Sequence, residues 1–373
     1  TLHQHPEISG QEKKTSEFII NLLTQLHPDK IIKNIGGHGL AAIFDSKKAG
    51  PTIAIRGDID ALPIPEINTF SYKSLHTNVS HKCGHDGHTT IVLGLAKLLS
   101  EHPVKKGKVI LVFQAEEETG DGAEKFVNDL KFKNFKIDYT FALHNLPGFP
   151  LHSIIVKNGT FASASKGLKI KLQGKTSHAA HPENGLTPAN AIAELINSYH
   201  QLNYNSSYFK QLTFLTIIHI RLGEIAFGTT PGYAEFMATL RSYSNDDIDL
   251  LSKKCISYLD EIAKKEKLEY EYEWCEIFPA VINNIACVDK IREIARSRNY
   301  NIVELEEPFR WSEDYAHFTN KFEGALFGIG SGTNHPQLHN PDYDFPDEIL
   351  ETGINMFWGI IHNILNDWQL SSF

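Results

Sequence analysis

Eight consecutive residues, His81-Lys-Cys-Gly-His-Asp-Gly-His88, hold three histidines, a cysteine and an aspartate. A cysteine set among histidines points to a metal site, a disulfide partner or a buried thiol. Cys83, Cys255, Cys275 and Cys287 are the only cysteines and show no C-x-x-C spacing, so a disulfide framework is excluded and free thiols in a reducing compartment are expected. Cys255, Cys275 and Cys287 lie in apolar segments and are expected in the core. Other reactive side chains recur in short groups: Arg56-Gly-Asp58-Ile-Asp60, Glu116-Glu117-Glu118, His144-Asn145, and the loop with His335 and His339. Together these segments offer Cys83, His85, Glu118, His144 and His339, a sulfur, three imidazoles and a carboxylate, enough for two metal ions in a mixed shell. Neighbouring glutamates add a division of labour, one binding metal while the other faces a water whose pKa the metal lowers towards ~7. That is the chemistry of amide hydrolysis.

Elements must bring these groups to one edge. "PTIAIRGDID", "KGKVILVFQAEEETG", "DYTFALHN" and "GALFGIGSG" read as buried strands, each running into one of the reactive groups. "SEFIINLLTQL", "TTIVLGLAKLLSEH", "ACVDKIREIARSR", "EDYAHFTN" and a long final segment read as helices. Alternation of helices with near-continuous apolar strands predicts an α/β domain with a mostly parallel sheet, whose ligands sit beyond the carboxyl ends of the strands. Near residue 160 the pattern changes. "KGLKIKLQG", "TPANAIAELINSYHQL", "TFLTIIHIRLG", "YAEFMATLRSY", "IDLLSKKCISYLDEIAKKE" and "EYEYEWCEI" give the order βαββαβ, with Ser244 and Asp247 as a variant capping box. The expected organisation is a first catalytic part over 1–160, an inserted unit over 161–280, and a second catalytic part over 281–373.

The chain has 373 residues, 41% hydrophobic, and a net charge of -9, a globular profile that argues against nucleic acid as a partner. No apolar run approaches the ~20 residues of a membrane helix, and "TLHQHPEISG" has no signal-peptide core. The expectation is a cytoplasmic protein with no membrane partner. The first residue is Thr1 rather than Met, which leaves open a segment ahead of it. A nucleotide-binding α/β reading lacks a phosphate loop: "GIGSGTNH" is followed by no helix start.

Read in order, "LHQHPEISGQEKKT", "RGDIDALPIPE", "HKCGHDGHT", "FQAEEETGDGA", "ALHNLPGFP", "GKTSHAAHPENGLTPANA", "SEDYAHF" and "HPQLHNPDYDFPDEIL" cover nearly the whole chain. In these motifs the chain resembles the amidohydrolase branch of the co-catalytic metallopeptidases. That group comprises N-acyl-amino-acid amidohydrolases, hippurate hydrolases, indole-acetyl-amino-acid hydrolases and N-acetyl-diaminopimelate deacetylases. The resemblance implies a zinc-peptidase-like catalytic domain with an inserted α+β lid and dimerisation domain. It makes Cys83, His85, Glu118, His144 and His339 the ligands of two divalent ions (Zn, Mn, Co or Ni) and Glu117 the general base, leaving Glu116 as an extra carboxylate. Asp58 would orient a ligand imidazole, and His178 would be the lid histidine that steadies a tetrahedral oxyanion in a partner's site. Arg241 would pair with a substrate carboxylate or brace the lid. His81, His88, His181 and His335 are expected in supporting roles.

One departure stands out. Gly228, in "AFGTTPGYAE", occupies a place where many relatives carry asparagine, which bears on substrate identity. The expected reaction is hydrolysis of N-acyl amino acids or short peptide-like substrates by a homodimer. A dipeptidase or carboxypeptidase, which would need recognition of a free α-amine, and a catalytically silent metal-binding protein are the alternatives.

Overall fold

The structure, a computed structural model, describes residues 1–204 and 206–365; 366–373, the end of the expected last segment, lie outside the described residues. Two compact units divide the chain. The first comprises Thr1–Phe161, Val281–Pro308 and Glu313–Phe373, and the second Ala162–Ala280 with Phe309–Ser312.

The first unit begins with α1 (Lys13–Gln25), β1 (Lys30–Ile35), β2 (Gly39–Asp45), β3 (Thr52–Asp58), α2 (His85–Glu101), β4 (Lys108–Gln114), α3 (Gly122–Asn128), β5 (Tyr139–Leu146), β6 (Ile154–Val156) and β7 (Gly159–Ala162). The second unit contains β8 (Ala164–Gln173), α4 (Ala189–Tyr204), β9 (Thr213–Leu222), β10 (Tyr233–Ser242), α5 (Asn245–Glu266) and β11 (Glu269–Phe278). The chain then returns through β12 (Val281–Asn283), α6 (Ile285–Ser297), β13 (Ile302–Glu304), α7 (Ala316–Thr319), β14 (Glu323–Gly330) and α8 (Leu350–Ile364).

In the first unit eight strands lie in the order β1-β2-β4-β3-β5-β14-β6-β13. β4, β3, β5 and β14 are mutually parallel. Their near-continuous apolar runs follow from burial on both faces, since helices cover a parallel sheet above and below. One apolar cluster joins these strands to α2, α6 and α8 through residues such as Ile55, Leu111, Phe141, Phe327, Leu95, Ile291 and Phe357. The four parallel strands therefore end at one edge, at Asp58, Gln114, Leu146 and Gly330, and loops leave from there. β1 and β2 form an antiparallel edge, and β6 runs antiparallel to β14, so the sheet is mixed.

The second unit is a four-stranded antiparallel sheet, β11-β8-β10-β9, with α4 and α5 contributing to its apolar cluster. On the opposite face Glu271, Lys171, Glu235 and Arg221 form a cross-strand row of alternating charge, a pattern suited to water. The Ser244 hydroxyl accepts the Asp247 N–H at 3.3 Å and caps α5, satisfying a donor that the first turn would otherwise leave open.

Three expectations are corrected here. Cys255 and Cys287 are core residues, but Cys275 is exposed, because it lies opposite Gly167 on the face of β11 away from the helices. The helix expected over "EDYAHFTN" is only the single turn α7; the Glu313 carboxylate takes the Tyr315 N–H instead. Finally, α2 starts at His85 rather than at the apolar run that follows. Among the described residues no helix is long and apolar enough to cross a membrane.

Candidate metal centre

Cys83 and His85 flank Gly84, which sits at φ +91 just before α2. A Cβ there would lie 2.6 Å from the Asn145 side-chain oxygen, so both the dihedral and the close approach require glycine. This turn aims the thiol and the imidazole inward. His144 comes from the end of β5, Glu118 from the turn after β4, and His339 from the loop after β14. His339 also adopts φ +65, and its N–H donates to the Lys82 carbonyl at 2.8 Å, tying that loop to the Cys83 segment.

The five side chains meet in two triads that share the thiol: Cys83, His85 and His144, and Cys83, Glu118 and His339. Within each, the ligand atoms lie within 4.8 Å of one another. Cys83 Sγ is 3.5 Å from His144 Nε2, and Glu118 Oε1 is 3.7 Å from both His85 Nε2 and His339 Nε2. Ligands of a tetrahedral ion with bonds of roughly 2.0–2.3 Å are separated by about 3.3–3.8 Å. His85 Nε2 and Glu118 Oε1 are buried without a hydrogen-bond partner among the described residues, a state that costs roughly 1–3 kcal/mol for each such atom. Spacing, donor types and these two atoms fit a divalent cation.

The tautomers agree. His144 Nδ1 donates to the Asn145 carbonyl at 2.8 Å, which turns its Nε2 towards the thiol. His85 Nδ1 faces the Asp60 carbonyl at 2.9 Å and carboxylate at 3.2 Å, leaving Nε2 for the centre. Charge is crowded in this pocket. Burial, with Glu118 and Glu117 nearby, pushes the Cys83 thiol well up. Burial also lifts Glu118 to about 7, partly offset by His85. Burial would lower His85, yet Asp58, Asp60 and Glu118 overcome it and hold the imidazole at about 10. The same negative field favours a metal cation, which competes with that proton.

Glu117 lies beside the triads. Its Oε1 accepts the Asp314 N–H at 3.3 Å, and its Oε2 is 4.0 Å from His85 Nε2. Burial, then Glu313 and Glu118, raise its carboxyl well above the usual range. Glu116 is turned away: at φ +58 it pairs with Lys125 at 2.5 Å. Asp58, expected to orient a ligand imidazole, holds His88 Nδ1 at 2.6 Å and stands 3.7 Å from His85 Nε2, and His88 Nε2 reaches the Asn145 side-chain oxygen at 2.5 Å. Asp60 takes the orienting part and also accepts the Glu118 N–H at 3.0 Å. Strand alternation puts Arg56, Asp58 and Asp60 on one side of "RGDID", a signal that pointed to Asp60 as well. His81 is buried with no hydrogen-bond partner on either nitrogen among the described residues, and burial lowers its pKa to about 4. His335 hydrogen-bonds the Asp344 carbonyl.

His178 and Arg241 belong to the second unit. His178 is exposed on a turn laddered to Thr229, and its Nδ1 accepts the Ala180 N–H at 3.0 Å, so the neutral ring carries its proton on Nε2. His181 pairs with Glu183 at 3.2 Å. Arg241 Nη1 donates to the Arg310 carbonyl at 2.8 Å and to the Ser312 hydroxyl at 3.1 Å. Gly228 has open space where a side chain would be.

The chain is similar to known proteins. The chain is 30% identical over 354 residues to an N-acetyl-L-cysteine deacetylase of Bacillus subtilis, covering 94% of this chain and 83% of that protein. It is 28% identical over 351 residues to a hippurate hydrolase of Campylobacter jejuni, covering 94% and 91%. Among solved structures, a dinuclear metal-binding peptidase of the M20 family from Bacillus subtilis superposes with a TM-score of 0.80 at 26% identity, covering 98% of this chain and 96% of that one. The profile of peptidase family M20/M25/M40 matches residues 54–363, most of the chain, and the chain is a hydrolase belonging to that family.

Proposed function

We propose that this protein hydrolyses the amide bond of N-acyl amino acids, releasing a carboxylic acid and a free amino acid. The observation that carries the reading is the pair of triads meeting at Cys83, with buried, unpartnered atoms on His85 and Glu118 and a basic glutamate beside them. Cys83, His85, Glu118, His144 and His339 would hold two divalent ions, with zinc, manganese, cobalt and nickel all compatible with the donor set. Such ions polarise a carbonyl and acidify water. Glu117 is the general base: Asp314 pins one oxygen, the other faces the centre, and its raised basicity suits accepting a proton and returning it to the leaving amine.

His178, with Nε2–H available as a donor, would stabilise the oxyanion. Its commitment to a partner's site follows from the dimer reading, which the second unit's edge supports. β9 ends the sheet with Ile218, Ile220 and Leu222 exposed, an apolar edge that a second copy would cover. The Arg241 contacts favour bracing within its unit over recognition of a substrate carboxylate. The relatives named above act, by their names, on an N-acetyl and an N-benzoyl amino acid, which supports the substrate class. A ligand thiolate favours a reducing compartment, so we place the enzyme in the cytoplasm.

The test is amine release from N-acetyl, N-benzoyl and N-indole-acetyl amino acids by protein stripped and reloaded with manganese, cobalt or zinc. Metal-dependent release that falls by about 10²–10⁴ in Glu117→Gln, with metal content unchanged, is the expected outcome. No release by the loaded wild type from any substrate would overturn the proposal.

A further inference from the structure

Arg56 is 1% exposed and spends its guanidinium on four groups at once. Nε donates to the Gln114 side-chain oxygen at 2.9 Å and Nη1 to Asp58 at 2.7 Å; Nη2 donates to Glu313 at 3.0 Å and to Asp314 at 2.9 Å. The last two partners matter most. They flank the peptide bond whose N–H, that of Asp314, holds Glu117 Oε1. Glu313 also accepts the Tyr315 N–H at 3.2 Å. Asp314 accepts the Gln114 amide at 2.7 Å and the Ala123 N–H, in the first turn of α3, at 2.8 Å. The ring therefore closes from the end of β3, through the end of β4 and the glutamate turn, to 313–315 and back to Arg56.

We propose that Arg56 is a positioning residue for the reaction: by clamping Glu313 and Asp314 it fixes the backbone N–H that aims the Glu117 carboxylate. The inference rests on Glu117 being the general base of an amide hydrolase. Arg56 itself is enclosed by its own partners and touches no substrate, so its effect belongs to proton transfer and not to ground-state binding. A planar fork with five N–H groups can serve these partners together, whereas an ammonium point charge cannot hold them in one plane. Misplacement of a reacting group by about 1 Å costs on the order of 10²-fold in rate.

The test compares metal-loaded wild type with Arg56→Lys and Glu313→Gln on whichever N-acyl amino acid the wild type cleaves. Arg56→Lys is expected to lower kcat about 10- to 100-fold, with KM within about twofold and the metal content per chain, read by elemental analysis, unchanged. Glu313→Gln keeps the acceptor for Tyr315 while weakening the clamp, and should lower kcat less, again without loss of metal. The crystal structure of loaded Arg56→Lys should display the Glu117 carboxylate displaced, a readout that stands even if no substrate is cleaved. Unchanged kcat in both variants, a loss of kcat that merely tracks lost metal, or a superposable Glu117 would overturn the role. Should Arg56→Lys fail to fold, Glu313→Gln decides alone by the same split. A wild type inactive on every substrate would instead refute the amide-hydrolase reading, leaving the displacement of Glu117 to judge the clamp.

Discussion

Two buried charge clusters stand on the same sheet edge and differ in how they are satisfied. Around Arg56 the donors Nε, Nη1 and Nη2 all end on partners within the chain, and Asp314 collects further bonds from Gln114 and Ala123. Around Cys83 the side chains also converge, yet His85 Nε2 and Glu118 Oε1 have no hydrogen-bond partner among the described residues. A buried network completed by its own residues rigidifies the fold. One that leaves a ring nitrogen and a carboxylate oxygen facing each other unbonded suits a metal cation, which displaces the ring's proton. The difference separates scaffold from site more clearly than burial does, since both clusters are buried.

The sharpest way to break that distinction is to remove one charge from each. Arg56→Met leaves Asp58, Glu313 and Asp314 without their cation, and breaking a buried pair costs about 3–5 kcal/mol. Chemical denaturation should register this loss with or without metal. Glu118→Gln should behave in the opposite way. Because its folded pKa, about 7, lies above the ordinary 4.5, the ionised carboxylate is unfavourable in the metal-free fold at neutral pH and above. Metal-free Glu118→Gln should therefore be at least as stable as wild type, while losing the stabilisation on adding zinc, and the turnover. Equal destabilisation of the metal-free protein by both substitutions would erase the contrast.

A smaller effect is expected in the second unit, where His178, the proposed oxyanion donor, is exposed. His178→Ala should lower kcat by about 10²–10³, the usual cost of one oxyanion donor, with stability and metal content unchanged. Turnover equal to wild type would remove His178 from the chemistry.

A third cluster resembles that of Arg56 in being complete. His3 Nδ1 meets Asp86 at 2.7 Å and Nε2 meets Glu66 at 3.0 Å, and Lys82 joins Glu66 at 2.6 Å. Burial would lower the His3 pKa, but Asp86 and Glu66 outweigh it and raise the imidazolium from 6.5 to about 9. A pKa raised on folding contributes stability that is fully present below 6.5 and is lost as pH rises through 9. The contribution is of order 1–3 kcal/mol. Stability of wild type should fall between those limits, and His3→Gln should flatten that fall; an unaltered slope in the variant would show that other groups produce it.

The ligand candidates were legible because Glu118, His144 and His339 belong to the ends of apolar strands or the loops after them, and Cys83 and His85 to a dense Cys/His motif just ahead of an apolar helix. The α/β class was legible for the same reason. What escaped was long-range or depended on which face a residue takes. Arg56 meets Glu313 across 257 positions, and nothing near "SEDYAHF" announces that its carboxylates hold an arginine instead of starting a helix. Cys275 is out of phase with Tyr270, Tyr272 and Trp274 of its strand, and its register opposite Gly167 puts it on the face away from the helices. The edge strands β1 and β13 do not stand out before their neighbours are known, because Ile31, Ile32 and Ile35 of β1 follow no period of two and β13 is only Ile302–Glu304. Asp58 and Asp60 are two residues apart, and only coordinates show that both approach His85, Asp60 within hydrogen-bond reach of Nδ1 and Asp58 at 3.7 Å from Nε2.

Gly228 tests the comparison between scaffold and site at its gentlest point. Its φ is not in the left-handed region, and an added Cβ would meet nothing within 4 Å, so the backbone does not require glycine there. The loop is nonetheless tied to the His178 turn, because the Ala179 N–H donates to the Gly228 carbonyl at 3.0 Å. Gly228→Asn should accordingly leave stability within about 0.5 kcal/mol, as for a surface position free of special geometry. Any change should be confined to the relative kcat/KM among acyl groups, since the new amide would stand beside the proposed oxyanion donor. A destabilised variant would instead mean that the loop depends on glycine for its shape, and that the missing asparagine says nothing about substrate. A shifted substrate profile at unchanged stability would make this position a determinant of specificity, separable from both buried clusters.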